Sequence, residues 1–508
     1  MGFPERFIEW LKTLYSKCTL SPLNGGAIVG NIEDVGSLRQ GCPLSVHLFT
    51  LYIEPLIAAL HNNLEGIYVH SHKVAVRAFV DDLTVIVKSD SDILRACELV
   101  EAFCSWTHMR VNKTKSKLLG IGDWAFDRQL EREKANIASS KSGVPFKKWP
   151  VLWLEPVKSL KLLGINFTAS IKETEKLEWA KMCHKMLGVL LDNGDRKLTL
   201  LGRVLFYKQH VLALATHLAQ VIPCPDTVSD RIRAHMTSFV WRGHIKPNRN
   251  ASLRDKRKGG LGVPNIQLFF RSLFSHRICK SITGPEGPEK AVLRYWFALH
   301  LHHLFPDYIG PKASGELPDH VRRTIPVIKA LSQQNIISTV DAASHRKIYS
   351  SFTAAIEEPG RIELKRPNLN WDRIWRWVAT TKGKNRDILF LLNHELLPTN
   401  ERKRRRSQTS SPLCPMCHLS NEDNLHLMLW CPYRGGIASW LERMLRSLGC
   451  RVSLQDAIHG HIGDCPNPRE TFGLLEAYIT EIWRQRKTLS VPPVSGLEAL
   501  WQTLLKKS

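Results

Sequence analysis

Phe79-Val80-Asp81-Asp82 sets two adjacent carboxylates between apolar runs, Val74-Ala75-Val76 before and Leu83-Thr84-Val85-Ile86-Val87 after. Two β-prone segments meeting at an acidic tip predict a tight hairpin. Adjacent carboxylates repel each other unless a cation lies between them. Mg²⁺ takes such oxygens and fills its other positions with substrate phosphates. Taken alone, the dipeptide also fits a solvated turn, and its neighbours have to decide. A second group, Cys414-x₂-Cys417-x₈-His426-x₄-Cys431, offers three thiolates and one imidazole, a donor set for tetrahedral Zn²⁺. The CxxC pair reads as a knuckle that His426 and Cys431 close from the other side. A loop with so little core of its own would draw folding energy from the metal. Cys414-Pro415-Met416-Cys417-His418 also matches the c-type haem attachment pattern, but that chemistry needs an export route for which no signal is readable here.

The elements around the two carboxylates give them a context. Gly36-Ser37-Leu38-Arg39-Gln40-Gly41-Cys42-Pro43-Leu44-Ser45 opens an apolar helix with Leu44, Leu48, Tyr52, Leu56 and Leu60 at four-residue steps, and Pro43 suits its first turn. Val111-Asn112-Lys113-Thr114-Lys115-Ser116 follows the hairpin, and Leu162-Leu163-Gly164-Ile165 comes later. In this order, the motifs resemble the reverse transcriptase of LINE-type, non-LTR retrotransposons, written from here without its first palm strand. The resemblance implies that Arg39, Gln40 and Gly41 contact template and nucleotide, that Asp81 and Asp82 form the catalytic hairpin with Lys115 in the following segment, and that Leu163 and Gly164 lie in the primer grip. Gly259-Gly260-Leu261-Gly262-Val263-Pro264-Asn265 and the late Cys/His cluster are also similar to this family. One departure is Val46-His47, where the family carries Ser-Pro-x.

Two-metal phosphoryl transfer draws carboxylates from more than one strand. In the resembled family, an Asp on an earlier strand supplies the third. That strand precedes a segment similar to Gly2-Phe3-Pro4-Glu5-Arg6-Phe7-Ile8-Glu9-Trp10. The expectation is therefore an N-terminally truncated product that holds Mg²⁺ at half a site, binds nucleotide poorly and does not polymerise alone. Glu33 and Asp34 are the nearest upstream acids, in what reads as a strand-to-loop segment rather than the lost strand.

The expected fold class is α+β. A partial right-hand polymerase palm, an antiparallel sheet with helices, spans residues 1–170. A helical thumb-like region spans 171–280, a helical linker 281–400, and a zinc-binding C-terminal domain 401–508. The 508 residues carry a net charge of +24, which favours polyanions, with an RNA template and a DNA primer or target first among them. Candidate contacts are Lys256, Arg257 and Lys258 in a basic loop, and Arg404 and Arg405 within Arg402-Lys403-Arg404-Arg405-Arg406, where Trp430 and Tyr433 are at hand for stacking. The same basic run fits a nuclear import signal or a solvated linker. The glycines at 259–262 lack the strand–GxGxxG–helix context of a phosphate-binding loop. Trp371, Trp375 and Trp377 read as helix packing. No membrane-length apolar run is read, nor a signal peptide. The twelve cysteines are scattered except at the late cluster, which suits an intracellular protein, nuclear or cytoplasmic. No oligomeric state follows from the sequence. Three readings remain: an RNA-directed DNA polymerase, a non-enzymatic RNA- or DNA-binding remnant, and an unstable relic.

Overall fold

The computed structural model describes residues 2–16, 18–34, 38, 42–69, 71–122, 153–242, 249–306, 308–313, 317–333, 344–354, 356–405 and 411–507. The chain gathers into two compact units, residues 1–160 with 286–292, and residues 161–285 with 293–508. The fold is mostly helical, with small two-stranded ladders among the described residues. The antiparallel palm sheet expected from the sequence is present there only as separate pairs. Cys18–Leu20 joins Ile32–Asp34, Leu23–Asn24 joins Ala27–Ile28, Ile67–Val69 joins His72–Val74, and Val76–Phe79 joins Asp82–Val85, all antiparallel. Lys117–Leu118 and Glu155–Pro156 run parallel. Strands this short expose few unpaired backbone groups at each edge.

In the first unit, the helix Pro43–Asn63 starts with Pro43 in its first turn, as its missing N–H allows. Its buried residues are Ile53, Leu56 and Leu60, with Phe49 and Ile57 half-buried beside them. Four-residue steps drift about 40° per step around an α-helix, so the stripe alternates threes and fours and leaves Tyr52 exposed. This helix is also long and apolar enough to cross a membrane by length and composition, which corrects the sequence reading. Together with Ala96 and Phe103 of the helix Asp90–Thr107, its inner face buries Ala75 and Val76 at the base of the acidic hairpin. Asp92, itself buried, accepts backbone N–H bonds from Glu65 (2.9 Å), Gly66 and Lys88 (3.3 Å each), tying that helix to the start of the ladder.

The second unit is organised around one large apolar core that runs from Ile165 and Trp179 through Phe270 to Trp375, Leu441 and Trp501. A second cluster, including Cys279, Phe297, Ile328 and Ile348, lies beside it. Gly259 and Gly260 explain how distant segments meet. A Cβ on Gly260 would lie 1.8 Å from the Arg254 carbonyl oxygen, and one on Gly259 would lie 2.4 Å from the Trp375 ring. Gly259 also has φ +79°, which side-chain-bearing residues rarely adopt. Glu363 Oε1 accepts from Arg254 Nη1 (2.7 Å) and Trp375 Nε1 (2.9 Å). His394 Nε2 donates to the Gly259 carbonyl (2.7 Å) while its ring stacks on Trp375 at 4.9 Å. The glycines are packing positions, in keeping with the absence of a phosphate-binding context. The tryptophans pack as well, in two directions: Trp371 stacks on Trp375, and Trp377 stacks on Phe472.

Two measurements test this core. Gly260→Ala is expected to cost about 3 kcal/mol or more, read as a shift in the urea midpoint, because backbone and not a flexible side chain blocks the added methyl. Burial pushes His394 and His459 down from 6.5 to about 4, so both imidazoles are neutral in the fold. The unfolded chain takes up those protons first. Their stability contribution is complete above about pH 6.5 and is lost as pH falls toward 4, at about 1.4 kcal/mol per pH unit for each imidazole. Urea titrations across that window should show this slope, and it should flatten in the His394→Gln/His459→Gln chain.

Candidate functional site

The acidic hairpin closes with a two-residue loop, Val80-Asp81, between the paired residues Phe79 and Asp82. Val80 has φ +54°, the sign a type II′ turn requires at its first loop position, where glycine is the usual residue. A β-branched residue there is strained by about 1–3 kcal/mol, a cost that recurs at functional sites. Asp81 and Asp82 are both exposed at the tip, above a base buried at Val74, Ala75 and Val76. Among the described residues, no third acidic or other metal-ligating group gathers with them. Lys115 lies on an exposed turn built by Asn112, whose carbonyl accepts its backbone N–H (3.1 Å). No hydrogen bond or ion pair among the described residues joins it to either Asp. Arg39, Gln40 and Gly41 lie outside the described residues.

In the second unit, Leu163-Gly164 forms the tip between the strand that ends at Leu162 and the strand Ile165–Thr168. Both residues have positive φ, +46° and +89°, as a type I′ turn requires. The ring of His217 meets the Leu163 carbonyl oxygen at 3.1 Å and supports the strained residue. Lys256, Arg257 and Lys258 make one exposed helical turn, capped by Asp255, which accepts the Arg257 N–H (2.8 Å). They project from the rigid glycine contact described above.

Cys414, Cys417, His426 and Cys431 converge. All four are buried, and their ligand atoms lie within 4.8 Å of one another. Cys414 Sγ and Cys431 Sγ are 4.0 Å apart, and Cys417 Sγ and His426 Nε2 are 3.4 Å apart. A tetrahedron with Zn–S near 2.3 Å has S···S edges of about 3.8 Å, so the donor set fits Zn²⁺. The knuckle is shaped by His418, at φ +55°, and by the Cys414 N–H bonding the Ser420 carbonyl (2.8 Å). His426–Trp430 is a π-helical turn in which the Cys431 N–H reaches the His426 carbonyl (2.9 Å). An α-helix would rotate residue i+5 about 140° away from residue i, and the wider turn returns Cys431 to the side of His426. Asp423 Oδ1 accepts the His426 N–H (2.6 Å). His418, the residue a c-type haem pattern would use, is exposed, while both cysteines of that pattern are committed to the cluster. Burial and the nearby Cys414 thiol push the Cys431 thiol up, to about 11, against the Tyr433 N–H.

The surroundings add residues that motif spacing missed. Glu422, 1% exposed, pairs with Arg486 (Nε–Oε1 2.8 Å) and accepts the Asn400 N–H (2.8 Å). Asn400 Nδ2 also donates to the Leu413 carbonyl (2.9 Å). These bonds pin the basic helix Asn400–Arg404 to the zinc loop. Arg404 is exposed, and Arg405, exposed as well, pairs with Glu401. Trp430 and Tyr433, 57% and 63% exposed, flank Cys431 on either side. Cys450 and Cys465 form their own buried pair of contacts to the Ile462 and Leu448 carbonyls, away from the ligand set.

Residues 1–167 match the family described as reverse transcriptase (RNA-dependent DNA polymerase), and residues 354–437 match the family described as zinc-binding in reverse transcriptase. Residues 1–167 are therefore similar to a reverse transcriptase domain, and residues 354–437 to the zinc-binding module found in such proteins. It is 29% identical over 309 residues to the Transposon TX1 uncharacterized 149 kDa protein of Xenopus laevis, covering 60% of this chain and 22% of that protein. It is 25% identical over 169 residues to the Retrovirus-related Pol polyprotein from type-2 retrotransposable element R2DM of Drosophila melanogaster, covering 33% of this chain and 15% of that one. These are distant relationships, and the chain spans less than a quarter of either relative's length. A reverse transcriptase domain implies binding of a nucleic-acid template in general terms.

Metal analysis should find one zinc per chain, retained in Cys450→Ser/Cys465→Ser and lost in Cys431→Ser. Chelation should lower the melting temperature of the wild type and leave that of Cys431→Ser unmoved.

Proposed function

We propose that this polypeptide binds RNA and primer–template as a non-LTR reverse transcriptase derivative, and that on its own it does not extend a primer. The observation that carries the second half is the hairpin tip. Asp81 and Asp82 stand exposed side by side, and among the described residues no third metal-ligating group gathers with them. Asp81 and Asp82 would hold Mg²⁺, whose charge would lower the pKa of a primer hydroxyl and neutralise a nucleotide's phosphates. Lys115, on its exposed turn, and Arg39, Gln40 and Gly41 would complete the approach of template and nucleotide. A polymerase assembled from this chain needs a further carboxylate from another segment.

The binding half rests on charge and exposure. Lys256, Arg257 and Lys258 contact phosphates in this reading, as do Arg404 and Arg405. Leu163 and Gly164 present backbone to a primer, and Trp430 and Tyr433 offer stacking faces. The domains proposed are a partial palm at 1–170, a thumb-like region at 171–280, a helical linker at 281–400 and a zinc-binding domain at 401–508. A nuclear or cytoplasmic location suits the free cysteines and the basic run at Arg402.

The deciding experiment pairs binding with chemistry. Anisotropy with an annealed RNA–DNA primer–template should show affinity falling about tenfold or more between 50 and 200 mM salt. It should weaken on zinc removal and be unchanged in Asp81→Ala/Asp82→Ala. Primer extension with Mg²⁺ should be absent from both chains. Extension by the wild type that disappears in the double variant would overturn the reading and restore a complete enzyme.

A further inference from the structure

Arg434 is the most conspicuous buried charge beside the zinc ligands. It is 1% exposed and follows Cys431 by three residues, in a turn where its N–H bonds the Cys431 carbonyl (2.8 Å). Its Nη1 donates to the Leu427 carbonyl (2.9 Å), next to His426. Its Nε and Nη2 have no hydrogen-bond partner among the described residues. A guanidinium buried with two idle donors is costly unless an anion faces it. The candidate anions nearby are Glu422, Cys414 and Cys431. Glu422 already serves Arg486 through Nε and Nη2 and accepts the Asn400 N–H. That leaves the sulfurs.

The charges around the site point the same way. Arg486 and Glu422 compensate each other as an ion pair, and among the described residues no hydrogen bond joins Arg434 to a carboxylate. Zn²⁺ held by three thiolates and a neutral imidazole has a formal charge of −1. A divalent ion on a Cys₃His set therefore places a negative complex beside this guanidinium. A Cys₂His₂ centre would be neutral itself and would leave the guanidinium uncompensated.

We propose that Arg434 is a positioning residue for the zinc centre: its idle N–H groups face the ligand thiolates, balance the net negative charge of the Cys₃His complex and damp the nucleophilicity of the sulfurs. The inference rests on the zinc reading of the cluster and adds a charge requirement to it. Outer partners of metal ligands usually contribute 10–100-fold in affinity, which sets the expected scale.

The test uses the full chain, loaded with Zn²⁺ or Co²⁺, in two backgrounds. With the native ligands, Arg434→Met should lower Zn²⁺ affinity at least about tenfold in a chelator competition and raise the N-ethylmaleimide reaction rate of the metal-bound thiolates about as much. Arg434→Lys, which keeps the charge, should recover most of both. The sulfur-to-cobalt charge-transfer bands should shift in the Met variant and return toward wild type in the Lys variant. In the Cys417→His background, where the centre is formally neutral, Arg434→Met should change affinity less than about threefold. Equal losses in the two backgrounds, Met affinity within twofold of wild type, or an insoluble Met chain in both backgrounds would make Arg434 a packing residue and overturn the proposal. Failure of the native chain to take up any zinc would instead sink the underlying metal reading.

Discussion

The second unit depends on a close approach of backbone to aromatic ring. Gly259 and Gly260 allow the segment after the basic turn to lie against Trp375 and under the Arg254 carbonyl, where no side chain fits. Once that contact is made, Glu363 can serve both Arg254 and Trp375, and His394 can stack on Trp375 while bonding Gly259. The half-buried Arg254–Glu363 ion pair is not a large net gain by itself, because desolvation offsets much of its attraction. Its value is specificity of place: with either partner removed, a half-buried charge loses its partner. The result joins segments more than a hundred residues apart into one core, and it holds the exposed Lys256-Arg257-Lys258 turn on a rigid base.

The acidic hairpin is built on the opposite principle. Its base is buried by two helices, yet its tip is exposed, short and strained at Val80. Like charges at Asp81 and Asp82 gain nothing from each other, so folding alone does not favour this sequence. The hairpin is a local departure from stable design, tolerated because the helices Pro43–Asn63 and Asp90–Thr107 and the buried Asp92 over-determine the strands beneath it. Strain and charge repulsion at a position held from below suit a role in which a cation supplies the missing attraction.

Much of this was legible in the sequence wherever chemistry is local. The spacing of Cys414, Cys417, His426 and Cys431 implied convergence because a CxxC knuckle is closed by a few neighbouring bonds. Phe79-Val80-Asp81-Asp82 implied a hairpin because its flanks alternate between strand formers and a turn. Less legible was whatever depends on distant partners. Gly259-Gly260 looked like a loop until Trp375 and Arg254 were placed against it. The stripe of the helix Pro43–Asn63 was read at four-residue steps, whereas packing follows 3.6. The small ladders were expected as one sheet because strand propensity says nothing about which edges meet. The one hint at Arg434 was its position: a single cation between the apolar runs Leu425–Leu429 and Ile437–Leu441, three residues after a ligand.

Those two kinds of information meet at the zinc module. Ligand identity is written in four residues, but the character of the centre depends on what lies outside them. Three thiolates around a divalent ion leave an anion in a buried place, and burial makes that anion costly unless the protein supplies a cation. Glu422 and Arg486 cannot do so, because they neutralise each other while anchoring Asn400 and the basic helix behind it. Arg434 is a buried positive group beside the ligands, and two of its donors have no hydrogen-bond partner among the described residues. The same arrangement keeps Arg404, Trp430 and Tyr433 on the outside, free to meet a partner. Arg434 thus answers the charge of the ligands from within, while the basic helix beside them keeps its charge on the surface.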